Sequence, residues 1–128
     1  MKQRFFKCSH CGNMIAMVED KGAPVMCCGQ KMDEIIPNTT DGATEKHVPV
    51  IVQDEDMVIV KVGSVEHPMA ENHFIGWISI ETTEGNQRKI LAPGQAAWAE
   101  FVLAEGDEVI AAYAYCNLHG LWKKEIKK

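Results

Sequence analysis

From Val48 onward, apolar and polar positions alternate with a period of two. Val48, Val50 and Val52 alternate, as do Val58, Val60 and Val62 with Ile59 and Lys61 between them. Residues 74–80, 88–91, 97–103 and 109–115 continue in short apolar or alternating runs. Successive side chains of a strand point to opposite faces, so this period predicts strands. Turn-forming groups separate them at Glu84-Gly85-Asn86, Ala92-Pro93-Gly94 and Glu105-Gly106-Asp107. Several short strands at this spacing, with almost no helical period, predict an all-β chain with an antiparallel β-sandwich. Trp77, Trp98 and the alternating valines are expected in its core.

The first part of the chain reads differently. Arg4–Lys7, Met14–Val18 and Val25-Met26 are expected as short strands, with a turn at Lys21-Gly22-Ala23-Pro24. So short a segment cannot fold on a hydrophobic core alone and needs a staple. Residues 37–46 are polar and turn-rich, a linker or a loop belonging to the sandwich. The expected division is therefore residues 1–37 as a small metal-knuckle domain and 38–128 as the sandwich.

With 128 residues, 46% of them apolar, there is material for one ordinary core beside a small module. The net charge of -5, with no basic stripe, argues against nucleic-acid binding. The apolar runs are far too short to span a membrane, and no signal-peptide core follows Met1. A cytoplasmic protein is expected. There, thiolates more often bind metal or serve redox chemistry than form structural disulfides.

Cys8, Cys11, Cys27 and Cys28 fall in the first part, and Cys116 stands alone near the end. Cys8 and Cys11, with two residues between them and followed by Gly12, read as a metal knuckle. Cys27 and Cys28 are adjacent and normally point apart. They can share one ion only if the chain turns sharply, which Gly29 permits. Two disulfides are the competing reading, disfavoured by the compartment. His10 is expected in solvent, since four thiolates already complete a tetrahedron. Zinc and iron both accept four sulfurs.

His47, His67, His73 and His119 all lie at expected strand ends or loops, where β scaffolds build sites. Singly, each would be an ordinary surface histidine. Together with Cys116, three residues before His119, they suggest one metal centre. A structural zinc site closes at four ligands, and a blue-copper site takes two histidines and a cysteine. Four imidazoles and a thiolate fit an octahedral iron with one open position. A thiolate ligand pushes electron density toward whatever binds. Lys46, beside His47, would attract an anion to an otherwise negative protein. Glu45 could take the sixth position or hydrogen-bond nearby.

At these residues the chain resembles desulfoferrodoxin, the two-iron form of superoxide reductase, over nearly its whole length. Cys8, Cys11, Cys27 and Cys28 resemble the desulforedoxin-like domain. Glu45-Lys46-His47-Val48-Pro49-Val50, His67-Pro68-Met69, His73 and Cys116-Asn117-Leu118-His119-Gly120 resemble the neelaredoxin-like catalytic domain. The resemblance implies an immunoglobulin-like sandwich and a homodimer. It implies two non-haem irons, one on the four cysteines and one on His47, His67, His73, His119 and Cys116. The implied reaction is one-electron reduction of superoxide to hydrogen peroxide. Lys46 would guide the anion and aid its protonation, Glu45 would bind the ferric ion, and rubredoxin or a similar carrier would return the electron.

Two other classes compete. One is an electron carrier whose working centre is the four-cysteine site. The other is a zinc ribbon on a binding domain without redox chemistry. A carrier needs no open site and a ribbon needs no second metal, so the histidine constellation speaks against both.

Overall fold

The computed structural model describes residues 2–126. The chain divides into two compact units, Met1–Ile36 and Pro37–Lys128.

In the first unit, β1 (Phe5–Lys7) pairs antiparallel with β2 (Met14–Ala16) and with β5 (Asp33–Ile35), while β3 (Met26–Cys27) pairs with β4 (Gln30–Lys31). The expected early strands are present, each within a residue or two of its expected bounds. β4 and β5 were not expected, because charged and polar residues dominate both. Phe6, Cys8 and Met32 are buried together, with Ile15, Met17, Val25 and Cys27 packed against them. That core is small, as the length of the segment requires.

Among the described residues, the second unit is a seven-stranded antiparallel sandwich. One sheet has the order β10-β7-β6, from Trp98–Val102, Met57–Val62 and Pro49–Asp54. The other has the order β12-β11-β8-β9, from Gly120–Glu125, Val109–Cys116, Ile75–Thr82 and Gly85–Ile90. Val58, Val60 and Val62 share one buried core with Ile75, Ile78, Ile80, Phe101, Ala112 and Ala114. Burying each of the larger of these side chains contributes about 1.5–3 kcal/mol.

Four expectations need correction, the first being Trp77, which is half-buried and stacks on Tyr115 with ring centroids 5.8 Å apart instead of joining the core. Trp98 is 43% exposed and Val52 is 45% exposed, so neither lies in the core. On β10 the inward set is Ala97, Ala99, Phe101 and Leu103, which sends Trp98 outward. On β6, Pro49 pairs with Val62 and Ile51 with Val60, and it is Ile51 that packs on the core. His47 does not open a strand. It ends a single helical turn, α1 (Thr44–His47), and β6 begins two residues later. β12 was also not anticipated. Its buried residues, Leu121 and Trp122, are adjacent and are followed by Lys123-Lys124-Glu125, so no period of two announces the strand.

Residues 37–46 belong to the second unit. The Asn38 N–H donates to the Leu121 carbonyl at 2.9 Å, and the Asn38 side chain exchanges bonds of 3.1 and 2.9 Å with the Lys123 backbone. This segment therefore runs beside β12 and caps what would be an open sheet edge. Among the described residues no helix is long and apolar enough to cross a membrane.

Candidate metal centres

Cys27 closes β3, and Cys28 and Gly29 are the two central residues of the turn to β4. Their φ angles are 53° and 73°. Two successive left-handed residues make the tight hairpin turn whose twist matches its strands. They also break the alternation of side-chain direction, so adjacent cysteines point to one place. Gly12, at φ 82°, does the corresponding work after Cys11. All four sulfurs lie within 4.8 Å of one another. Cys11 Sγ is 3.6 Å from Cys27 Sγ, and Cys27 Sγ is 4.0 Å from Cys28 Sγ. None forms a disulfide.

The sulfurs differ in environment. The Cys11 N–H donates to the buried Cys8 sulfur at 3.4 Å, and this lowers the Cys8 thiol to about 6. Sharing with the Cys11 sulfur pushes Cys28 up to about 12 and raises Cys27 as well. Four thiolates so close cannot all ionise without a cation between them. Cys11 and Cys28 are exposed and Cys8 is buried. His10 is exposed beside them and is not in the cluster.

The second cluster gathers at one end of the sandwich. His47 comes from α1, His67 and His73 from the β7–β8 connection, Cys116 from the last residue of β11, and His119 from the turn into β12. Ligand atoms of His47, His67, His73 and Cys116 lie within 4.8 Å of one another. His119 stands just outside that group, with Nδ1 3.7 Å from Cys116 Sγ. The four imidazoles form a closed square. Ring centroids are 4.7 Å apart for His47–His67, 4.7 Å for His67–His73, 5.1 Å for His73–His119 and 4.9 Å for His119–His47. Each neighbour is turned edge-on, at 69° to 77°.

Hydrogen bonds fix which nitrogens point inward. His47 Nδ1 donates to the Ala43 carbonyl and His67 Nδ1 to the Pro68 carbonyl, both at 2.7 Å. A carbonyl only accepts, so each proton is on Nδ1 and each Nε2 carries a lone pair. Those two Nε2 atoms face each other at 3.1 Å. Among the described residues, His73 Nε2 is buried with no hydrogen-bond partner. Burial lowers the imidazoles of His47 and His73 and brings His67 down to about 4. They are neutral at ordinary pH, the form that coordinates a metal. Inward lone pairs, an orphaned buried nitrogen and an adjacent thiol together fit a bound transition metal.

Packing around the square was not legible in the sequence. Trp122 stacks on His47, with centroids 4.9 Å apart and planes at 26°, and its indole N–H donates to the His119 carbonyl at 3.1 Å. Thr40 Oγ1 also donates to the His119 carbonyl. Glu45 and Lys46 are exposed at the rim, on the turn that ends in His47. The Glu45 carbonyl accepts from the Val65 N–H at 2.8 Å and from Ser64 Oγ at 3.2 Å.

The desulfoferrodoxin family model matches residues 39–125. A desulfoferrodoxin from Nitratidesulfovibrio vulgaris is 46% identical over 120 residues, covering 94% of each chain. The chain belongs to the desulfoferrodoxin family. The structure of the superoxide reductase from Treponema pallidum superposes with a TM-score of 0.83 at 36% identity, covering 98% of this chain and all of that one. The single-iron superoxide reductase from Giardia intestinalis matches 66% of this chain and 99% of its own at a TM-score of 0.56 and 34% identity. The two donor sets fit the two non-haem iron sites of a desulfoferrodoxin, four thiolates for one and imidazoles with a thiolate for the other.

Proposed function

We propose that His47, His67, His73, His119 and Cys116 hold the iron at which this desulfoferrodoxin reduces superoxide to hydrogen peroxide. Superoxide gains one electron and two protons, and no dioxygen is released. The carrying observation is the facing pair of Nε2 lone pairs on His47 and His67 at 3.1 Å, with both Nδ1 protons already committed. Bound there, ferrous iron supplies the single electron, with a thiolate ligand to favour its transfer. The chain supplies the rest. The Nδ1 bonds of His47 and His67 set ring planes and tautomers. Lys46 at the rim draws the anion in against a net charge of -5 and offers a proton donor beside it. Glu45, exposed on the same turn, would supply the carboxylate that the family resemblance assigns to the ferric ion.

The second iron falls to Cys8, Cys11, Cys27 and Cys28. In this reading residues 1–37 are a desulforedoxin-like domain and residues 38–128 the neelaredoxin-like catalytic domain. The exposed Cys11 and Cys28 sulfurs suit electron transfer with a partner. By family resemblance the protein works in the cytoplasm as a homodimer, re-reduced by rubredoxin or a similar small carrier.

The test is product stoichiometry. The iron-loaded, pre-reduced protein should yield one hydrogen peroxide per superoxide consumed and no dioxygen. Half that peroxide, with dioxygen evolved, would mean dismutation and overturn the reading. No reaction at all would leave an electron carrier working through the four-cysteine site.

A further inference from the structure

Three ligands of the histidine–cysteine group come from two separate segments. One presents His73 just before β8. The other presents Cys116 at the end of β11 and His119 in the turn to β12. Strand pairing reaches Ile75 opposite Cys116 and ends there, with a register shift between Tyr115 and Cys116. Beyond that point the ladder no longer fixes the distance between the loops.

Asn117 takes over from the ladder. Its N–H donates to the Phe74 carbonyl at 3.2 Å. Its side-chain Oδ1 accepts from the Phe74 N–H at 2.8 Å, and its Nδ2 donates to the Asn72 carbonyl at 3.0 Å. Asn72 and Phe74 are the residues on either side of His73. One side chain therefore ties down both neighbours of one ligand, while its own backbone lies between two others. We infer that Asn117 is a positioning residue, whose amide holds the His73 loop in register with Cys116 and His119 so that their donors converge. This rests on the ligand assignment given under Proposed function.

The residue type matters. An amide carries an acceptor and a donor on one short planar group, and this arrangement uses both. An aspartate keeps the acceptor and turns a second oxygen toward the Asn72 carbonyl. Groups that orient metal ligands typically change metal affinity or activity by 10- to 100-fold when removed.

The test uses the full iron-loaded chain and follows iron release to a ferrous chelator, the visible band of each centre and amide exchange at Phe74. In Asn117→Ala, iron should leave the histidine–cysteine group about tenfold faster or more. Its band should shift, and the Phe74 amide should lose protection, while the four-sulfur band stays. Asn117→Asp should keep Phe74 protected and release iron at an intermediate rate. That variant carries the test if the alanine variant does not fold. Wild-type release and band in both variants would overturn the inference. So would equal acceleration of loss from both centres, which is general destabilisation. Absence of the histidine–cysteine band in wild-type protein would instead overturn the ligand assignment beneath it.

Discussion

His47 and His67 face each other through Nε2 atoms 3.1 Å apart, and neither has a proton left to place between them. Two lone pairs held so close in a buried site repel unless a cation or a proton lies there. The fold holds them nonetheless, through carbonyl acceptors just before α1 and on the loop after β7. In the metal-free protein a proton is the available substitute. Burial and neighbouring imidazoles oppose it, which is why His67 sits at about 4 against an ordinary 6.5.

That depression fixes the sign of a pH effect. Between 6.5 and 4 the unfolded chain binds a proton at His67 that the folded metal-free chain does not. Its contribution to stability is therefore full above 6.5 and is lost as pH falls toward 4. The loss is on the order of 3 kcal/mol for this one group. Denaturant melts of metal-free protein should show the midpoint falling across that window, and His67→Gln should flatten the fall. An equal pH slope in the variant would remove His67 as its source.

Gly42 packs closely against the square. A Cβ there would lie 3.1 Å from Trp122, 3.2 Å from His47 Cε1 and 3.3 Å from the His119 Cβ. Two of those neighbours are metal-ligand candidates and the third stacks on one of them, so yielding space means moving ligands. Gly42→Ala should cost about 1–3 kcal/mol by overpacking. It should also shift the visible band of the histidine–cysteine centre and leave the four-sulfur band unchanged. An unshifted band would show that the segment through Gly42 moves away without carrying the rings.

The two donor clusters were legible because their chemistry is local to residue type and spacing. Cysteines separated by two residues before Gly12, and adjacent cysteines before Gly29, announce turns that aim sulfurs inward. The phase of β6 was not legible, since both of its faces are apolar. Val48, Val50 and Val52 form one alternating set, Pro49 and Ile51 the other. Pairing with β7 chooses between them, and pairing is not a local property. Trp98 misled by size, while the smaller Ala97 and Ala99 hold the inward positions of the same strand. Thr40 and Gly42 reach the site only because residues 37–42 run beside β12, a contact between distant parts of the chain, and Trp122 reaches it from β12 itself.

Cys28 tests the independence of the two centres. It is exposed, and its left-handed φ of 53° is needed to turn its sulfur toward Cys27. Cys28→Ser leaves a weaker oxygen donor in the same turn. The four-sulfur absorption should be lost or strongly altered, and the iron content should fall by one of the two sites. The histidine–cysteine band should persist, because its donors all come from the second unit. Loss of both bands would show that the second centre needs the first for its integrity.

Lys46 stands at the rim, and its charge is felt inside. His73 is lowered first by burial, then by His119, and also by the Lys46 ammonium. A field that disfavours a proton on His73 favours an anion at the same place. The rest of the chain opposes this with a net charge of -5. Lys46→Ala should therefore slow the reaction with superoxide about tenfold at low ionic strength, the lower end of what steering charges supply. Salt should narrow the gap, because the screening length falls to about 8 Å at physiological ionic strength. Lys46→Arg keeps the charge and should keep most of the rate, measured by pulse radiolysis across a salt series. An alanine variant as fast as wild type at low salt would leave Lys46 no part in drawing superoxide in. A slow variant whose deficit does not shrink with salt would point instead to a role in protonation, where distance to the reacting oxygen matters more than the long-range field.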